Sequence, residues 1–290
     1  MTPGLFADSF RRARAVAVYE FLWDVRKWRT YVVVPLVMLV AVLIGLGPRL
    51  LPGGFSGVDP ATWWESTLSV LNTSLLSGIF PLLVGGFLAT DSLAMEFDKG
   101  TIAGLFAQPV RRAEIYLGKV LEKGIFLLAL AALTVALAVG ASELSSGAQS
   151  DLAWAAAFAL SMLLVFLMFA ALAFFLGSVI HSGTIVLGAL LGLYFALIIG
   201  SALLFLQYGF GYWLYFVPVF NCVGLVPALQ AYIAHPGGTT TINVNFVVAG
   251  RSAIVGNALN LELSLVGVIL GIVVLFLVGY LTFRRAEVTG

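Results

Sequence analysis

Long apolar runs alternate with short polar ones along this chain, and their lengths set the scale of everything else. Six runs, Tyr31–Leu46, Thr67–Thr90, Gly124–Ala141, Leu152–Ile180, Thr184–Leu206 and Leu263–Phe283, contain no Asp, Glu, Lys or Arg. A helix needs about 20 apolar residues to cross a hydrocarbon layer roughly 30 Å thick. A charge at its centre costs about 2.5–3.5 kcal/mol. The pattern predicts a single transmembrane domain over residues 1–290: an all-α polytopic membrane protein with six transmembrane helices.

Residues 208–234 are also apolar and long enough to span, but Pro218 and Pro227 divide them. Each proline removes a donor and kinks a helix. Half-helices or a re-entrant pair are expected there, covered by the bundle. Next, Ile242, Val244, Phe246 and Val248 alternate with Thr241, Asn243 and Asn245, the period-two pattern of a half-buried strand. Ala249–Gly250–Arg251 reads as a turn into a second short strand. Residues 207–262 are thus expected to form a small extracellular region with a hairpin, an irregular loop being the other reading.

Composition agrees with the pattern. Hydrophobic residues make up 61% and charged residues 10%, with mean hydropathy +1.07, whereas a soluble domain is about a quarter charged. With the N-terminus inside, thirteen of the fifteen Lys and Arg fall on the cytoplasmic side, and only Arg49 and Arg251 lie outside. This bias predicts cytoplasmic termini and a plasma-membrane location. The spread of arginines from Arg11 to Arg29, with no small-residue cleavage site after the first apolar run, argues against a cleaved signal. One cysteine, Cys222, permits no internal disulfide, and two histidines make a structural zinc site improbable. Nothing in the charge pattern suggests nucleic acid.

Residues 8–29 mix arginines with Phe10, Val16, Tyr19, Leu22, Trp23 and Trp28. They have enough apolar surface to lie on a bilayer and too much charge to cross one. An amphipathic interfacial helix is expected, either as an elbow leading into the first span or as a tail resting on the membrane.

The polar stretch "MEFDKGTIAGLFAQPVRRAEIYLGK", Met95–Lys119, sits inside the cytoplasmic loop 91–123. Gly100 can end one helix and Thr101 can cap the next. Ile102, Leu105 and Phe106 share one face, and Pro109 closes the element. A helix under two turns long does not hold alone in water. It must lie among headgroups or seat in a partner's groove.

In Glu96, Gly100–Thr101, Pro109–Val110, Arg112 and Gly118–Lys119 this stretch resembles the cytoplasmic loop of ABC-2 type transporter permeases, with departures at Ala103 and Arg111. The resemblance implies that the short helix is a coupling helix inserted into an ATP-binding subunit. Its contact residues would be Glu96, Gly100, Thr101, Ile102, Leu105, Phe106, Pro109, Arg111 and Arg112. It also implies an exporter built from two permease copies or paralogues, with ATP and magnesium on the partner ATPase. An accessory protein on the external hairpin is a further possibility that some relatives suggest. The very short loop with His181 corresponds to a second, smaller contact in that family, although His181 alone reads as an ordinary interfacial residue.

This chain has no Gly-x-x-x-x-Gly-Lys-Ser/Thr run with which to cradle phosphates; Gly118–Lys119 is followed by Val120. It is expected to be non-catalytic and without a cofactor of its own. Thr184, Gly188, Gly192, Ala196 and Gly200 recur at every fourth position, and Gly267 and Gly271 repeat the theme. Such stripes allow close helix contact in lipid, either at a dimer seam or within one subunit. Ser69, Asn72 or Thr73, and Ser77 could line a pathway or supply interhelical hydrogen bonds. The alternative function, a secondary transporter or channel, would ordinarily keep ionisable groups inside the bundle, and the six runs hold none. A membrane-embedded enzyme would want clustered His, Asp, Glu or Cys, whereas Asp59, Glu65 and Glu262 are scattered.

Overall fold

The computed structural model describes residues 3–46, 80–107, 110–148, 153–208, 240–248, 251–259 and 261–286. Its helices are α1 (Pro3–Val25), α2 (Trp28–Gly45), a π-helical turn (Leu82–Gly86) running into α3 (Phe87–Thr90), α4 (Ala94–Asp98), α5 (Thr101–Phe106), α6 (Arg112–Ser146), α7 (Ala153–Ile180), α8 (Gly183–Tyr208) and α9 (Leu261–Arg285). Three stretches, Arg112–Ser145, Phe158–Ile180 and Glu262–Arg285, are long and apolar enough to cross a membrane; Trp28–Leu43 and Gly183–Leu197 are shorter apolar stretches.

Helix α6 is the backbone of one half of the bundle. At 1.5 Å per residue its 35 residues reach about 52 Å, well beyond the roughly 30 Å of a hydrocarbon core. The excess lies in its first turns, where the charges are, and α1 runs beside them. Arg12 meets Glu114, Ala13 and Val16 meet Gly118, Glu20 meets Lys119, and Phe21 meets Phe126. Both numbers rise together, so the two helices run in the same direction. Helix α2 continues along α6 until Gly45 sits against Ala138, Ala141 and Ser142. Helix α1 lies along the root of α6, where its Glu20 and Asp24 pair with the buried Lys119 and Lys123, while Phe10, Tyr19, Leu22 and Trp23 remain exposed.

The other half is built on α7. Gly85 abuts the Phe166 backbone and Gly177 receives Ala94, so the π-helical turn and the following residues track α7 in parallel. Helix α9 also runs parallel to α7, with Gly271 on Met168, Gly279 on the Phe175 backbone, and Ser178 sharing a hydrogen bond with Thr282. Between the halves, Tyr116 of α6 packs against Phe174 and Phe283, with ring centroids 5.8 Å and 5.6 Å apart, and donates to the Phe276 carbonyl at 3.0 Å.

These pairings bring the starts of α2, α6 and α8 to one end of the bundle, together with the ends of α3, α7 and α9. That end also carries α4 and α5. Helix α8 therefore finishes, and α9 begins, at the opposite end. Residues 209–239 of the chain between them, where half-helices or a re-entrant pair are expected, lie outside the described residues. Within that connection, Thr240–Val248 pairs antiparallel with Arg251–Leu259, from Thr240 opposite Leu259 to Val248 opposite Arg251. The period-two stretch read from the sequence lies in the first of these strands.

Candidate functional site

The polar stretch between the second apolar run and α6 folds as two very short helices about a glycine. Gly100 has φ +69°, a left-handed conformation that costs a residue with a Cβ about 1–2 kcal/mol. This lets α4 end and α5 start at once. The Thr101 hydroxyl donates back to the Glu96 carbonyl at 3.3 Å, satisfying an acceptor at the end of α4. Ile102 is buried in this chain's own core at 2% exposure, and Leu105 packs beside that core. The apolar face expected to serve a partner is thus turned inward at Ile102, because a six-residue helix needs a hydrophobic anchor to exist at all. Of the remaining knob, the side chain of Phe106 lies outside the described residues, as does Pro109.

On one side α4 is held by charge. Lys119 of α6, with no exposed surface, donates to Glu96 and to Glu20 of α1, each at 2.7 Å. One turn on, Lys123 pairs with Asp24, which also takes Lys27 at 2.5 Å. Arg12 forks onto Glu114 at 2.9 and 3.0 Å. Arg29, at the start of α2, bonds Asp91 at 2.5 Å and lies over the Phe87 ring. Desolvation costs several kcal/mol for each buried ion and is offset only by tight pairing. The pairs are correspondingly short. Burial pushes the Glu96 carboxyl above its ordinary value, overriding the opposing pull of Lys119, and nearby Glu20 adds to the rise. Burial likewise raises Asp91, against Arg29 and Lys27.

On the other side α4 is held by packing. Phe97 stacks on His181 with centroids 4.2 Å apart. The Gly183 amide donates to Asp98 at 3.3 Å, and a Cβ on Gly183 would stand 2.6 Å from the Met95 side chain. His181 adopts φ 59°, left-handed for a residue with a Cβ, and its Nε2 is buried with no hydrogen-bond partner. A strained, unsatisfied histidine at the α7–α8 turn is no ordinary interfacial residue. Such strain persists only where the surroundings enforce it.

Other expected residues take different places. Arg111 starts α6, and its amide donates to Glu114 at 3.1 Å. Arg112 reaches the carbonyls of Arg284 and Ala286 at 2.8 and 2.9 Å, a cation on the C-terminal end of α9. Gly188, Gly192 and Gly200 have open space where a Cβ would go, so that stripe makes no close contact among the described residues. Thr184 and Ala196 are likewise exposed. Gly267 is buried and Gly271 meets Met168, an internal contact. Ser69, Asn72, Thr73 and Ser77 lie outside the described residues.

Sequence reasoning gave no role to Glu20, Asp24 and Lys123, and took Gly118 and Lys119 only as part of a motif. A signal was there: two acids four apart in a basic arm, and two lysines four apart at the root of a long helix. Each pair lies on one helical face, and the faces meet. Gly118 lets them meet, since a Cβ there would stand 2.7 Å from Val16.

A helical bundle with segments long and apolar enough to cross a membrane, and a short hinged element tied at one end to both halves, is the architecture of a polytopic membrane protein. Residues 14–288 match the family described as ABC-2 family transporter protein, and the chain belongs to that family, a membrane component of ABC transport. No curated protein matches the chain.

Proposed function

We propose that this chain is the membrane-spanning permease subunit of an ABC exporter, with six spans, cytoplasmic termini and a plasma-membrane location. It is non-catalytic: separate ABC ATPase subunits bind ATP and magnesium, and two permease copies or paralogues enclose one pathway. Helix α5 is the coupling helix that docks on the ATPase. Closure of the ATPase pair moves the α4–α5 segment as a rigid unit. Lys119 carries that movement to α1 and α6, and the Phe97–His181 stack carries it to α7 and α8.

The observation that supports this most is the double tether of α4. A five-residue helix has no reason to engage both halves of a bundle unless displacement at that point is to be shared between them. The outward α8 stripe, Gly188, Gly192 and Ala196, is the surface offered for the second permease copy.

The test is copurification with a co-expressed ABC ATPase subunit, in wild type and in Phe106→Asp. Loss of the ATPase from the complex and of ATP-dependent transport is expected. An intact complex with intact transport in the variant would refute the docking role of α5. Full transport by the purified chain alone would refute the assignment as a permease subunit.

A further inference from the structure

Helix α9 is the least buried of the three stretches able to cross a membrane. Val266, Leu270, Val273, Leu277 and Leu281 follow one another at steps of three or four and are all exposed, so they share one apolar face. From Leu263, also exposed, to Leu281 that face runs about 27 Å at 1.5 Å per residue. This is close to the roughly 30 Å of a hydrocarbon core. Arg284 and Arg285, both exposed, come three and four residues after Leu281 and end the same face. They stand at the depth of the headgroups.

The exposed apolar surface of α6 stops at the same level. Tyr116 packs on Phe283, and Leu117 next to it is exposed. Arg112 ties the two helix ends together through the Arg284 and Ala286 carbonyls. Arg111, exposed at the start of α6, adds a further cation to this corner. The acids at this end of the bundle are engaged elsewhere. Glu114 takes Arg12, Glu20 and Glu96 share Lys119, Asp24 takes Lys27 and Lys123, and Asp91 takes Arg29. The exposed Asp98 lies at the α7–α8 turn, on the Gly183 amide. Arg111, Arg284 and Arg285 have no ion pair among the described residues.

We propose that the end of α9 binds an anionic phospholipid of the phosphatidylglycerol type, its phosphate on Arg284 and Arg285 and an acyl chain along the Leu277–Leu281 face. A guanidinium presents a planar fork of donors that matches phosphate oxygens and gives up its hydration more easily than an ammonium. A zwitterionic lipid carries its own cation into a corner that is already cationic. A soluble phosphate has no chain to cover the apolar face. An acidic protein surface would account for the arginines alone, whereas the apolar face that leads into them without a break favours lipid. The site is independent of the ATPase and is tested without it.

The full-length chain in detergent is titrated with dioctanoyl phosphatidylglycerol, dioctanoyl phosphatidylcholine and soluble glycerol 3-phosphate, and bound molecules are counted by native mass spectrometry. Phosphatidylglycerol is expected to bind about tenfold more tightly than either of the others. Arg284→Gln/Arg285→Gln should lose that preference with an unchanged thermal midpoint in lipid-free detergent, since both side chains are exposed. Arg284→Lys/Arg285→Lys keeps the charge and should retain most of the preference. Arg11→Gln/Arg14→Gln removes as much charge from the exposed side of α1 and should leave the preference in place. Equal binding of phosphatidylcholine, or loss of the preference in the lysine pair, overturns the charge reading. Equal binding of glycerol 3-phosphate overturns the lipid assignment. Wild-type binding in the folded glutamine pair, or an equal loss in the α1 pair, overturns the location.

Discussion

Replacing Lys119 by Met is the perturbation that separates a structural hub from an incidental surface pair. The substitution keeps most of the apolar stem and removes the charge. It leaves Glu20 and Glu96 facing each other where both were bonded at 2.7 Å to one fully buried ammonium. Breaking a buried pair by deleting one partner costs about 3–5 kcal/mol, because the remaining charge stays desolvated and unpaired. At the lower conversion suited to a long chain, about 2 °C per kcal/mol, this lowers the thermal midpoint by roughly 6–10 °C. The assay is thermal unfolding of the purified chain in one detergent, followed by circular dichroism. The triple variant Lys119→Met/Glu20→Leu/Glu96→Leu should recover most of the loss, since replacing every member of a buried ionic set with apolar residues of similar volume is close to neutral in stability. A single variant within about 2 °C of wild type would show that the three groups do not share a desolvated site. A triple variant no better than the single would show that lost packing, not charge, produced the effect.

Gly118→Val should wedge α1 from α6, because its Cβ alone would stand 2.7 Å from Val16; overpacking of this kind costs about 1–3 kcal/mol, read as a lower unfolding midpoint. His181→Gly relieves a left-handed backbone worth about 1–2 kcal/mol and gives up a ring stack worth about 0.5–1.5 kcal/mol. Stability should stay within about 1 kcal/mol of wild type while transport per ATP hydrolysed falls. Because burial raises Glu96, its favourable contribution is full below the ordinary carboxylate value and is lost as pH rises through the raised one. Glu96→Gln should therefore flatten the fall in stability as pH rises above the ordinary carboxylate range, and an unchanged slope in a pH series of unfolding midpoints would contradict that burial. Gly188→Leu/Gly192→Leu adds side chains where the chain leaves open space. The fold should be unaffected and the dimer fraction on size-exclusion chromatography should drop.

The apolar runs, the hinge at Gly100 and the positive-inside charge bias were legible because each is local. A bilayer demands some 20 consecutive apolar residues wherever a helix crosses, and no distant part of the chain can waive that. A glycine between two short helical patterns carries its own conformational reason. The roles of individual residues were less legible. Ile102 has the spacing of a partner-facing knob and is instead an internal anchor. Arg112 looks like an outward basic residue and is tied to the end of α9. The fifth-run glycines make no internal contact among the described residues, whereas Gly118 and Gly183, outside any conspicuous stripe, carry the closest approaches to α1 and α4.

By itself the sequence determined the membrane as solvent, the segments able to cross it and the polar element between them, since these follow from lengths and charges read in order along the chain. Only the tertiary structure decided that α1 stands along α6, that Lys119 joins Glu20 to Glu96, and that His181 stacks under strain on Phe97. Those facts depend on which helix faces meet, over separations such as 99 and 102 residues. Facing is set by the packing of the whole bundle, not by any window of residues within it.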